Sequence, residues 1–294
     1  MNKSKPEGAS RVVVTAGSPA ETLEFLCQRF PRVGRTTWLN RLQRGRVLDE
    51  QWQSLAPGSL CYPGQVLYYF RELEHEVEVP FQEVVLFENE RLLVADKPHF
   101  LATAPVGSYV EQTLLRRLQR RFGLPQLTPI HRLDRLTAGV LVLCKKPQHR
   151  DAYQALFRQQ QVVKIYEALA APLPQLGFPL ERNSCIVNDD QYFFRSREVD
   201  RPANSRTRIE VLEQQEHYWR YRLLPLTGRK HQLRLHMCAL GAPIFGDDFY
   251  PQPQRRAAAD FTRPLQLLAR SLAFTDPFSG EQLFFASQRT LQLA

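Results

Sequence analysis

A run of charged and hydroxyl side chains, His131-Arg132-Leu133-Asp134-Arg135-Leu136-Thr137-Ala138-Gly139, leads directly into the aliphatic stretch Val140-Leu141-Val142-Leu143. Arg132 and Arg135 flank Asp134. Guanidinium groups beside a carboxylate favour its charged form, which is the form that serves as nucleophile or base. Thr137 and Gly139 predict a tight turn before a buried strand. On residue types alone a salt-bridged surface turn is the simpler account, because charged turns are common. A second polar run, Thr227-Gly228-Arg229-Lys230-His231-Gln232-Leu233-Arg234-Leu235-His236, ends at Gly241-Ala242-Pro243. Thr227 is suited to cap a helix whose Leu233, Met237 and Leu240 line one face, with Gly241 just past its end. Arg229 then stands at the helix entrance, where its planar fork suits a carboxylate or a phosphate. A solvated basic helix is the competing account. His231, His236 and Cys238 form the one metal-like cluster. Their spacings of five and two put no two ligands on one helical face as i, i+4 does, so no metal site is expected.

The elements that must position these residues follow from periodicity. Val84-Val85-Leu86-Phe87 and Leu92-Leu93-Val94-Ala95 read as strands around the turn at Glu88-Asn89-Glu90. A helix is predicted over 113–122, with Leu114, Leu118 and Phe122 inward and Arg116, Arg117, Arg120 and Arg121 largely outward. Strands and helices then alternate irregularly, with no fixed-period repeat and no strict β-α-β order. The expected class is α+β, with a mixed, largely antiparallel sheet flanked by helices. Nearer the N-terminus, residues 1–11 are polar and read as a mobile tail, extended to 1–18 in the domain division. Leu23, Leu26 and Phe30 predict a helix that Pro31 stops, and a second helix is predicted over 36–42 with Thr36 as its N-cap. Gly45-Arg46-Val47-Leu48 reads as a turn into a strand, and Val66-Leu67-Tyr68-Tyr69-Phe70 as a closing strand.

The chain has 294 residues, 39 Lys+Arg against 30 Asp+Glu, and a formal charge of +9. Hydrophobic residues make up 43%, enough for a packed core, which excludes a wholly disordered chain. No apolar run reaches the roughly 18–20 residues of a membrane span, and the first residues lack the apolar stretch of a signal peptide. Five scattered cysteines without a CxxC pair argue against a disulfide framework and fit a reducing cytoplasm. The excess positive charge favours an anionic partner, with nucleic acid first. Arg32, Arg35, Arg41, Arg44 and Arg46 crowd fifteen residues before Asp49, which favours phosphate binding over a merely solubilising surface. The acidic stretch from Glu72 to Glu83 then marks a boundary.

Taken together, these runs resemble the RluA family of RNA pseudouridine synthases. The sequence His131-Arg132-Leu133-Asp134 followed by Thr137-Ala138-Gly139 and three aliphatics resembles the family signature. Lys97-Pro98 resembles its early "NKP", with Asp96 in place of Asn. Lys164-Ile165-Tyr166-Glu167-Ala168 is similar to its K-x-Y-x-A segment. The run 229–236 with Gly241, Pro243-Ile244, Gly246-Asp247 and Tyr250 resembles its "GRxHQIRxH…GxPIxGD..Y" block, and 277–281 its "HPxTGE". The matches span residues 84–294. Ala138 stands where Ser is usual, Leu136 where a polar residue is frequent, and Leu268 where "LHA" would place His. Residues 19–72 resemble more loosely the small alpha-L-type RNA-binding module of ribosomal proteins, with its "RLDxxL" and "VNG" phrases degraded.

The resemblance implies an isomerase that converts uridine in structured RNA to pseudouridine without cofactor or metal. Ribosomal RNA is favoured as substrate over transfer RNA. It implies Asp134 as the essential carboxylate, acting either by covalent attack or by taking a proton from the ribose. Tyr166 would stack on the target base, and Arg229 would pair with Asp134. Arg132 would fill the space left by the flipped uridine. RNA contacts are expected from Arg132, Arg135, Arg116, Arg117, Arg120, Arg121, Lys164, Lys230, Gln232 and Arg234, and from Arg35, Arg41, Arg44 and Arg46 of the N-terminal module. A monomeric, cytoplasmic, RNA-modifying enzyme is expected. The alternative is a non-catalytic RNA-binding or ribosome-assembly factor on the same scaffold, which a degenerate site would favour. A glycosidase-like hydrolase using Asp134 lacks a paired carboxylate and ranks below both.

Overall fold

The computed structural model describes residues 9–31, 33–70 and 76–293. Arg32 and part of the acidic boundary (72–75) lie outside the described residues. The chain divides into two compact units, one ending at Glu74 and the other beginning at His75.

In the first unit, β1 (Ser10–Val13), α1 (Thr22–Arg29), α2 (Arg35–Gln43), β2 (Val47–Leu48) and β3 (Val66–Tyr69) build a three-stranded antiparallel sheet in the order β1-β3-β2 beside two helices. Residues 10–13 are therefore not tail. Ser10 pairs with Tyr69 and Val13 with Val66, because Val12 and Val14 bury their branched side chains in the small core around Leu26, Trp38 and Leu67. The second helix begins at Arg35 after Gly34, so Thr36 lies inside it and is not its cap.

The second unit contains β4 (Val84–Glu88), β5 (Leu92–Lys97), α3 (Leu114–Phe122), β6 (Thr128–Pro129), β7 (Ala138–Cys144), α4 (Arg150–Arg158), β8 (Val163–Ala170), β9 (Leu180–Asn188), β10 (Ser196–Val199), β11 (Ser205–Gln214), β12 (Trp219–Pro225), α5 (Gln232–Ala239), β13 (Leu267–Thr275) and β14 (Gln282–Ala286). These strands form one sheet, in the order β10-β9-β11-β12-β8-β13-β7-β5-β4 with β14 on β13 and β6 on β7. The pairings are antiparallel except that of β13 with β7, so the expected α+β class with a mixed, largely antiparallel sheet is the one found.

The centre of this sheet is covered on both faces, which explains why β7 reads as a continuous apolar run and not as an alternation. Leu141 and Leu143 join the core that holds Leu114 and Leu118 of α3 and Leu233 and Met237 of α5. Val140, Val142 and Cys144 point to the opposite core with Tyr153 and Leu156 of α4. Asp96, on β5, is fully buried. Its carboxylate accepts from the Ser287 hydroxyl (2.9 Å) and the Gln288 amide (2.8 Å) and faces Arg289 Nε at 3.3 Å. A charge in that position is compatible with folding because these donors take the place of water.

Candidate active site

Three neighbouring strands bring the site together. β13 lies between β7 and β8, and its Ala269 is in register with Gly139 on one side and Tyr166 on the other. The loop carrying Asp134, just before β7, thus ends beside the middle of β8. Gly139 has φ +113°, and a Cβ there would sit 2.2 Å from the carbonyl oxygen of Ala269. Only glycine lets β7 and β13 approach this closely.

The Asp134 loop is held from below by one segment of chain. Lys97 is fully buried, and its Nζ donates to the carbonyls of Pro98 (2.9 Å), Leu101 (2.7 Å) and Arg135 (3.2 Å), which uses all three donors. Burial pushes this ammonium well below its ordinary range, against the pull of Asp134. His99 Nδ1 lies 2.7 Å from the Leu136 carbonyl, so that nitrogen carries the proton. Thr103 Oγ1 donates to the Leu133 carbonyl (2.8 Å) and accepts from the Leu133 amide (3.2 Å). Lys97 was visible as part of a sequence pattern, whereas the clamping roles of His99 and Thr103 had no signal in composition or spacing.

The partner of Asp134 is Arg234. Arg229, which the sequence placed there, does not reach it. Arg234 Nη1 lies 3.4 Å from Asp134 Oδ2, while Nε and Nη2 grip both oxygens of Asp247 at 2.7 and 2.6 Å. The same guanidinium lies over the rings of Phe249 (4.8 Å) and Tyr250 (5.4 Å). Asp247 is fixed in turn by the amides of Phe249 and Tyr250. Arg229 is exposed and gives its Nε to the Asn204 carbonyl at 3.1 Å. The reason is local geometry. The helix starts at Gln232, not near Thr227, and His231 before it takes a left-handed conformation (φ +59°) that reverses the chain. Arg229 is thereby left on the rim, and Arg234 points inward from the first turn. In the fold the run from Gln232 to Met237 is buried throughout, where a guanidinium requires a carboxylate partner, and nothing in the residue types marks Arg234 over Arg229 beforehand.

Burial alone would raise the Asp134 carboxyl, but the charges around it outweigh burial and hold it below the usual carboxylate range. His231 Nε2 is 3.6 Å from Asp134 Oδ2, and its Nδ1 is 3.0 Å from the Tyr250 hydroxyl. Burial pushes His231 itself down to about 4, so at neutral pH it is uncharged and the stabilising charge comes from Arg234 and Arg132. Tyr166 is pushed up, first by burial and then by Asp134, and stays a neutral phenol.

Asp134 and Tyr166 line an open cavity of about 670 Å³, together with Arg132, Lys164, Arg229, Lys230, Gln232 and Arg234. That volume suits a nucleotide-sized ligand, within the usual range for small-molecule sites. Other expected RNA contacts are already engaged within the fold. The Gln232 amide is buried against the Arg206 carbonyl and Thr207, and its oxygen accepts from Thr227 and the Arg229 amide. Arg234 is buried in its carboxylate pairs. On α3, Arg117 donates to the carbonyls of Val79 (2.6 Å) and Phe81 (2.7 Å), Arg116 and Arg120 pair with Glu111, and Arg121 lies over Phe122. Arg135 lies over Tyr109. In the first unit Arg35 pairs with Glu24, Arg41 lies over Trp38 and Arg46 over Phe70. Among the described residues no group of three His, Cys, Asp or Glu side chains is placed to hold a metal ion, and the two histidines of the metal-like cluster turn to different partners. His236 bonds Thr207, Ser205 and Ser184, whereas His231 faces Tyr250 and Asp134.

A half-buried aspartate paired with a buried arginine lines an open cavity beside a mixed central sheet, an arrangement suited to an enzyme active site. The family model for RNA pseudouridylate synthase matches residues 91–239. An uncharacterized RNA pseudouridine synthase of Synechocystis is 31% identical over 232 residues, 78% of each chain. The dual-specificity RNA pseudouridine synthase RluA of Escherichia coli K12 is 34% identical over 207 residues, 69% of this chain and 91% of that one. Among solved structures, human RNA pseudouridylate synthase domain containing 4 superposes with a TM-score of 0.54 at 29% identity, covering 71% of this chain and 88% of that one. The chain belongs to the RNA pseudouridylate synthase family, in its RluA branch, and is a pseudouridine synthase, an isomerase.

Proposed function

We propose that the chain isomerises selected uridines of structured RNA, ribosomal RNA before transfer RNA, in the cytoplasm, and that Asp134 is the reacting carboxylate. The observation that carries this is the Asp134–Arg234–Asp247 arrangement at the cavity floor, which keeps Asp134 charged in a partly enclosed site. In the reaction the bond from C1′ to N1 breaks, the base turns, and C1′ bonds to C5. The proton released from C5 is balanced by the one N1 takes up. A charged Asp134 suits either attack on the sugar or abstraction of a ribose proton. Tyr166, neutral at rest, offers its ring to the base. Consuming the charge of Asp134 removes one of the influences that raise its phenol, so Tyr166 becomes more acidic as the reaction advances, better able to give its proton to N1 and then to regain one from C5. Arg132, exposed at the cavity mouth, has the length to occupy the gap left by a flipped nucleotide.

The test is pseudouridine profiling of total RNA from cells carrying wild type, Asp134→Asn or no copy of this chain. Sites lost without the chain and restored by wild type identify the substrate. Asp134→Asn should lower turnover by roughly 10³-fold or more while keeping the fold and RNA affinity. Near-normal turnover in that variant would remove Asp134 from the chemistry.

A further inference from the structure

Most of the cationic side chains that line the cavity are engaged within the fold. Arg234 is held by Asp247 and Asp134, Arg229 by the Asn204 carbonyl, and Arg158 by Asp151 at 2.9 Å. Lys230 donates its Nζ to the carbonyls of Phe193 (3.2 Å) and Arg195 (3.3 Å). Arg132 is exposed at the mouth. Lys164 differs from all of these. It is half-buried in the cavity wall, and among the described residues its ammonium has no hydrogen-bond acceptor and no carboxylate within ion-pair distance. Asp134 is the acid among the described lining residues, and Arg234 engages it. His131, beside Lys164, is stacked on Phe157 at 4.8 Å and pushed down to about 3, so it is an uncharged neighbour. Burial pushes the Lys164 ammonium below its ordinary range, with no neighbouring charge opposing the push.

We propose that Lys164 binds the phosphate of the nucleotide whose base lies on Tyr166, so that the cavity takes a uridylate and not a bare uridine. Lys164 stands two residues before Tyr166 on β8. Side chains at i and i+2 leave a strand on the same side, about 7 Å apart, and both of these line the cavity. That spacing is comparable to the span from the base of a nucleotide to its own phosphate. A partly desolvated ammonium is costly until an anion meets it, and phosphate is the one full negative charge that an RNA nucleotide brings. The contact rests on the reading of the cavity as the uridine site. It adds to that reading the part of the substrate that is held by charge.

The experiment titrates the full chain calorimetrically, at low salt, with uridine, uridine 5′-monophosphate and uridine 3′-monophosphate. The two monophosphates show which flanking phosphate is taken. One of them should bind the wild-type chain about tenfold more tightly than uridine, the size of one charge-assisted contact. Lys164→Met, which keeps the length of the stem, should erase that preference and leave uridine affinity unchanged. Lys164→Arg should keep most of it, because the charge remains. Circular dichroism checks that each variant is folded. A methionine variant that still prefers the monophosphate would overturn the contact. So would equal losses for uridine and its monophosphate, which would place Lys164 against the base, or a wild-type chain with no preference at millimolar concentration. Cytidine monophosphates separate this proposal from the one it rests on. If they bind as well as the uridine compounds and Lys164→Met still erases the phosphate preference, the phosphate site stands and the uridine reading falls. If the chain selects uridine compounds and Lys164→Met changes nothing, the uridine reading stands and the phosphate site falls.

Discussion

α3 and α5 are both short helices in arginine- and lysine-rich sequence, and they use that charge in opposite ways. α3 is amphipathic, with Leu114 and Leu118 in the core and its arginines around the periphery. There they meet Glu111 and the backbone carbonyls of residues 79 and 81, so most of that charge fastens a preceding segment to the domain. α5 is enclosed from Gln232 to Met237, and the arginine inside it is the one beside Asp134. The difference shows that what surrounds a basic residue decides its role. The number of basic residues in a stretch does not.

The sharpest break of this comparison is Arg234→Ala. It strands Asp247, whose side chain is 1% exposed, and removing one partner of a buried pair costs about 3–5 kcal/mol. Urea unfolding should show that loss, and turnover should vanish with it. Arg229→Ala should leave the unfolding midpoint unchanged and weaken RNA binding only a few-fold. Loss of turnover in Arg229→Ala with full stability would reverse the assignment of the two arginines.

Acidification should separate the regions next. His231 and His236, in the α5 segment, are pushed by burial from the ordinary 6.5 down to about 4, as is His99 beneath the Asp134 loop, and His131 to about 3. A histidine with a depressed folded pKa binds fewer protons when folded than when unfolded between the two values. Its contribution is therefore full above about 6.5 and is lost as pH falls towards 4. The urea midpoint should be flat from pH 8 to 7 and then fall steadily to pH 4.5. A flat midpoint across that window would mean these rings are not buried neutral.

A smaller effect is expected on α3. Arg117→Ala removes charge-assisted bonds to two carbonyls and to Gln112, and should cost about 1–3 kcal/mol in unfolding. The slope of RNA affinity against salt should not change, because this guanidinium does not face solvent phosphates. Smallest of all, Arg121→Ala should shift stability by less than about 0.5 kcal/mol. A reduced salt slope in the Arg117 variant would show that this guanidinium contacts RNA phosphates.

Local chemistry made much of this molecule readable in advance. The strands at β4, β5 and β7 and the helix α3 follow from short-range periodicity, which needs no knowledge of the rest of the chain. The place of Asp134 between two arginines at the start of a buried strand makes it only a candidate, and it is the family resemblance of the ordered runs around it that marks it as the essential carboxylate. β1 was missed because its two inward valines gain burial only once β3 lies alongside. What the tertiary structure alone decided is which groups meet. Asp134 and Arg234 are 100 residues apart in sequence, and Gly139, Ala269 and Tyr166 are aligned by strand pairing across the sheet. Arg229 and Arg234 have the same side chain, and no rule of residue type separates them. They are separated by one left-handed residue at His231, which leaves one guanidinium in water and turns the other into the core, where it must find a carboxylate.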